Sequence, residues 1–141
     1  MLRLLPFLLL TAVSLAQAAG AIDATDPWLR GVPPGQTSSA AYMTLVNTSA
    51  SPHTVVEVSS PQARAVEIHE SWQLDGMWRM RRLAELPVPA GGKAVLQPGG
   101  VHLMVFGLEH NPRPGEKISF QLRLDNGETV SVEAEVRAPG Q

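Results

Sequence analysis

Val101-His102-Leu103-Met104-Val105-Phe106 is a run in which apolar and chemically active side chains alternate. A period of two sends Val101, Leu103 and Val105 to one side and His102, Met104 and Phe106 to the other, the pattern of a β-strand with one face in a core. Further bursts of this kind lie at 40–46, 54–58, 63–72, 77–83, 93–96, 117–124 and 129–136. Turn formers separate them, among them Asn47-Thr48-Ser49, Asp75-Gly76, Ala90-Gly91-Gly92, Pro98-Gly99-Gly100 and Asp125-Asn126-Gly127. No stretch sustains the i, i+3, i+4, i+7 spacing of an amphipathic helix, so the body reads as all-β, with seven or eight strands in a sandwich or barrel. Ahead of it, residues 19–39 are rich in Gly, Pro, Ser and Thr. They predict one short strand around Trp28-Leu29-Arg30, then a loop over 31–36.

Composition narrows the function. The chain has 141 residues, 44% apolar and 17% charged, with a formal net charge of -2, which suits a single domain. Eleven Lys and Arg against thirteen Asp and Glu leave no basic stripe, and three Trp, one Tyr and three Phe are few for base stacking, so a nucleic-acid partner is excluded. There is no cysteine. That removes disulfides, CxxC loops, thiolate zinc sites, a Cys nucleophile and the thiolate of a blue-copper centre.

Residues 1–18 read as a secretory signal peptide: Arg3, then an apolar run from Leu4 to about Leu15, then Ala16-Gln17-Ala18 as an A-x-A cleavage site. The run is shorter than the ~20 residues of a bilayer span, and no later segment is apolar enough to form one. Cleavage leaves residues 19–141 as the working domain. With no Cys to carry a lipid, a form free of the membrane is expected, with the bacterial periplasm as its compartment.

Beyond the leader stand four His (His53, His69, His102, His110) and four Met (Met43, Met77, Met80, Met104). His102 and Met104 share a strand face at i and i+2, roughly 7 Å apart at ~3.3 Å per residue, within reach of one ion. The run Val66-Glu67-Ile68-His69-Glu70-Ser71-Trp72 turns at Asp75-Gly76, a strong hairpin signal, and returns through Met77-Trp78-Arg79-Met80-Arg81-Arg82. A two-residue loop pairs Met80 with Ser71 and makes it the diagonal neighbour of His69, while Val66 and Ile68 turn to the core. Two imidazoles and two thioethers form a neutral, soft donor set that favours Cu(I). Zinc would recruit Cys or more His and carboxylate, calcium and magnesium want oxygen, and no Asp/Glu cluster stands near these positions.

Taken singly, a strand Met usually fills a core and a His usually serves the surface or a hydrogen bond. That plain reading is kept for Met43, His53 and His110. Met77 falls on the hairpin face opposite Met80. Trp78 shares the face of Met80, where it covers apolar surface or shields an ion. Arg79, Arg81 and Arg82 form a solvated edge or a docking patch for an acidic partner.

The spacing His69, ten residues, Met80, twenty-one residues, His102, one residue, Met104 resembles the H-x10-M-x21-H-x-M signature of the periplasmic copper chaperones called PCu(A)C. The phrases Ala65-Val66-Glu67-Ile68-His69-Glu70, Pro89-Ala90-Gly91-Gly92 and Pro98-Gly99-Gly100-Val101-His102-Leu103-Met104 are similar to that family's, and the likeness runs from about Ala40 to Val136. The resemblance implies a cupredoxin-like β-sandwich or barrel that binds one Cu(I) through His69, Met80, His102 and Met104. It also implies delivery to the copper centre of cytochrome c oxidase subunit II, directly or with a thioredoxin-like Sco protein. Trp78 stands where many members carry Met. The final residues, Arg137-Ala138-Pro139-Gly140-Gln141, lack the Met and His of longer tails, so one site is expected. A monomer is expected as well.

Two other readings stand beside delivery: copper sequestration for tolerance, which needs the same site, and a metal-free secreted β-sandwich that serves as an interaction module. An enzyme is not expected. The sequence holds no G-x-S-x-G elbow, no paired catalytic carboxylates and no open oxygen-rich metal site.

Overall fold

The computed structural model describes residues 20–141, so the signal-peptide reading of 1–18 lies outside the described residues. Alternation and turn chemistry produce ten strands and no helix among the described residues. They are β1 (Ile22–Arg30), β2 (Ser39–Asn47), β3 (His53–Ser59), β4 (Ala63–Leu74), β5 (Met77–Leu83), β6 (Leu86–Val88), β7 (Lys93–Leu96), β8 (Val101–Leu108), β9 (Lys117–Leu124) and β10 (Thr129–Arg137). They join in one hydrogen-bonded order, β5-β4-β8-β7-β2-β1-β10-β9-β3-β6, with an additional pairing of β8 and β2. The sheet folds back on itself, so that β3 packs on β4 and β6 meets β7 and β2.

Ten strands exceed the seven or eight expected, and the short strand expected near Trp28 is nine residues long. Asp26 and Pro27 look like turn formers. Here they occupy a bulge between Thr25 and Trp28, with Asp26 at φ 47°, where no ladder hydrogen bond is required of Pro27. β1 continues beyond it because Trp28, Leu29 and Arg30 pair in parallel with Glu135, Val136 and Arg137 of β10. β6 has only three residues with Pro87 at its centre, and is tolerated because it forms the margin of the sheet beside β3.

The core lies between the curled faces of the sheet. Leu29, Leu45, Leu103, Phe120, Leu122 and Leu124 are essentially inaccessible to solvent. Each such side chain stabilises the fold by about 1.5–3 kcal/mol relative to exposure. Met43 belongs to this core, as read from the sequence. On β8, Leu103 and Val105 enter it, and Val66 and Ile68 of β4 do the same beside them. His69 and His102 consequently face away from the core, where the site is built.

Candidate metal centre

Local turn chemistry sets the first half of the site. Asp75 (φ 51°) and Gly76 (φ 74°) both adopt the left-handed conformation of a tight two-residue hairpin loop. The loop fixes the register of β4 against β5: Ser71 faces Met80, and His69 faces Arg82. Met80 is therefore diagonal to His69, as the two-residue loop predicts. The second half comes from β8, antiparallel to β4 on its other side. His102 stands directly opposite His69, and Met104 opposite Glu67. The two imidazole centroids are 5.9 Å apart, inclined at 49°.

Met80, His102 and Met104 line a single open cleft of about 550 Å³, with Trp78, Tyr42 and Arg30 among its other walls. His69 is not part of that lining; it stands on β4, between the strands that carry Met80 and His102, and its ring is 6.1 Å from that of Phe106. Both histidines are nearly buried, at 9% and 7% exposure, whereas Met80 is 55% exposed. The four side chains thus run from sheltered imidazoles through a half-buried Met104 to a solvent-facing Met80. The indole of Trp78 rests on the β7–β8 turn, where a Cβ on Gly99 would come within 3.2 Å of its edge.

Hydrogen bonds select which ring nitrogens are available. His102 donates from Nδ1 to the Gly100 carbonyl at 3.0 Å, which leaves the Nε2 lone pair uncommitted. His69 donates from Nε2 to Glu67 Oε2 at 2.8 Å, and its buried Nδ1 has no protein partner. An acceptor left so costs about 1–3 kcal/mol, which a ligand to Nδ1 would offset. The hydrogen bond from His69 holds the Glu67 carboxyl below its usual range, opposed by desolvation and aided by Arg82, whose Nε lies 3.8 Å from Oε1. Tyr42, 6.4 Å from the His102 ring, has its phenol pushed up by burial, partly countered by Arg30 over its face.

One carboxylate does stand at the site, Glu67, although no group of three or more His, Cys, Asp or Glu gathers among the described residues. Its signal in the sequence was parity, two positions before His69 on the same strand face. Tyr42 had none, because nothing local says that β2 runs beside β8. His53 lies 3.6 Å from Asp125, and His110 bonds Glu116 at 3.0 Å, both away from the cleft. Met77 is 58% exposed beside the hairpin turn and does not line the cleft. Arg81 pairs with Glu70 at 2.7 Å on the solvated margin.

The all-β architecture is cupredoxin-like and matches solved PCuAC domains. The copper-bound PCuAC domain from PmoF2 superposes with a TM-score of 0.71 at 25% identity, over 87% of this chain and 97% of that one. The solution structure of CuI-DR1885 from Deinococcus radiodurans gives 0.67 at 32% identity, over 88% and 83%. Residues 22–136 match the family described as "Putative lipoprotein LpqE-like". The chain belongs to this LpqE-like family. A relative named in the same way, Lxx21020 of Leifsonia xyli subsp. xyli, is 30% identical over 128 residues, which span 90% of this chain and 76% of that protein.

Proposed function

We propose that the chain is an exported copper chaperone, not an enzyme. In this reading residues 1–18 are removed on export to the periplasm and residues 19–141 work there as a monomer. One Cu(I) is carried by His69, Met80, His102 and Met104 and passed to the copper centre of cytochrome c oxidase subunit II, directly or through a thioredoxin-like Sco protein. The observation that carries this reading is the H-x10-M-x21-H-x-M spacing combined with a cleft lined by Met80, His102 and Met104, beside which His69 holds an unpartnered nitrogen. The names of the solved neighbours, one copper-bound and one a CuI form, support copper as the cargo, and the lipoprotein names of the relatives support export.

The chemistry follows from the donors. Thioethers bind a soft monovalent ion without needing deprotonation and form no disulfides in an oxidising compartment. A thioether donates more weakly than a thiolate, so an acceptor thiolate replaces a methionine first. Met80, at 55% exposure, is the donor it reaches. X-ray absorption of the copper-loaded protein tests the assignment. Sulfur and nitrogen donors around a monovalent ion are expected, and a shell of oxygen and nitrogen alone would overturn it.

A further inference from the structure

The two imidazoles are held in opposite senses. A neutral ring carries one N–H, so each observed hydrogen bond decides which nitrogen keeps a lone pair. The Gly100 carbonyl takes the Nδ1 proton of His102 at 3.0 Å and leaves Nε2. Glu67 takes the Nε2 proton of His69 at 2.8 Å and leaves Nδ1. That Nδ1 is the one buried side-chain polar atom without a partner among the described residues, so no protein group competes for its lone pair. Glu67 is itself anchored, with Arg82 Nε 3.8 Å from its other oxygen, and its position on β4 is opposite Met104.

We infer that Glu67 is a positioning residue of the copper site. It keeps the His69 proton on Nε2, so that His69 ligates through Nδ1 while His102 ligates through Nε2. The inference rests on the copper reading above, but the placement of the proton belongs to the metal-free protein and is measurable there. A carboxylate hydrogen-bonded to a ligating imidazole orients the ring and raises its basicity.

The test is a two-bond proton–nitrogen correlation spectrum of the copper-free protein with ¹⁵N-labelled histidine at pH 8, assigned with His69→Asn and His102→Asn. Opposite tautomers are expected at His69 and His102. One equivalent of Cu(I) then shifts Nδ1 of His69 and Nε2 of His102. Glu67→Ala gives mixed tautomers at His69 and a Cu(I) affinity lowered about 10–100-fold. Glu67→Gln keeps an acceptor in place, so it retains the tautomer and loses only part of the affinity. A His69 proton on Nδ1 in the wild-type protein, or a copper-induced shift at its Nε2, overturns the inference without any variant. Unchanged affinity in Glu67→Ala overturns it alone. Undiminished affinity in His69→Asn overturns the ligand assignment as well.

Discussion

His69 and His102 face each other across the β4–β8 ladder with their ring centroids 5.9 Å apart, although 33 positions separate them in the chain. Their rings occupy the side of the sheet turned away from the core, yet both are nearly inaccessible. Two imidazoles in that arrangement would give the proposed copper site a rigid half, since the backbone ladder beneath them fixes their spacing.

The methionines should supply the exchangeable half. Met80→Ala and Met104→Ala are each expected to weaken Cu(I) retention by about tenfold or more, equivalent to ~1.4 kcal/mol. Competition titration against a Cu(I) chelator measures this, and two unchanged affinities would exclude both sulfurs.

Copper retention should fall on acidification. A proton and a metal ion compete for the same imidazole lone pair, while thioether donors are indifferent to pH. The same competition titration repeated from pH 8 to pH 5 is the check. A flat profile would remove both histidines from the donor set.

Leu103→Ala should destabilise the fold by about 2–5 kcal/mol, because Leu103 is fully buried between the two site residues of β8. Urea denaturation is expected to show a lower midpoint with an unchanged slope. A loss below about 1 kcal/mol would mean that β8 is not held by its core-facing side chains.

Away from the site, Glu116 is held below its ordinary value of 4.5 by the hydrogen bond from His110 and then by a backbone hydrogen bond from Arg113. A depressed carboxyl releases its proton more readily in the folded state. Its stabilising contribution is therefore complete above the ordinary value and is lost as pH falls through the lower folded value. The difference in thermal midpoint between wild type and His110→Ala should accordingly be small, because the pair is exposed, and should shrink as pH falls below 4.5. A difference that grows as pH falls below that ordinary value of 4.5 would contradict the hydrogen bond.

Most of the strands could be read from the chain because alternation and turn chemistry are local. Segments 77–83, 93–96 and 117–124 coincide with β5, β7 and β9, and the Asp75-Gly76 loop carried the register of Met80 with it. β6 escaped notice because three residues centred on Pro87 look like a connection until a neighbouring strand is known. Only the end of β1 around Trp28 was legible, because Asp26-Pro27 reads as a break, whereas a bulge absorbs it and the strand begins at Ile22. For the site, parity showed that His69, His102 and Met104 leave the core. It could not show that β4 runs beside β8, which is a long-range pairing, and so could not reveal that His69 stands directly opposite His102 yet does not line the cleft. Glu67 was visible as a same-face neighbour, but its role depends on a hydrogen bond that spacing does not encode.

The position of β5 separates holding from letting go. It is the terminal strand of the order and has one hydrogen-bonded neighbour, so the Met80 arm is tied down by a single ladder. Swinging that arm aside requires opening one hairpin and lifting Trp78 off the β7–β8 turn, a local event far cheaper than global unfolding. In the proposed chaperone, β4 and β8, the strands that carry both imidazoles and the second sulfur, would then stay paired with each other while the cargo's outer tether is undone.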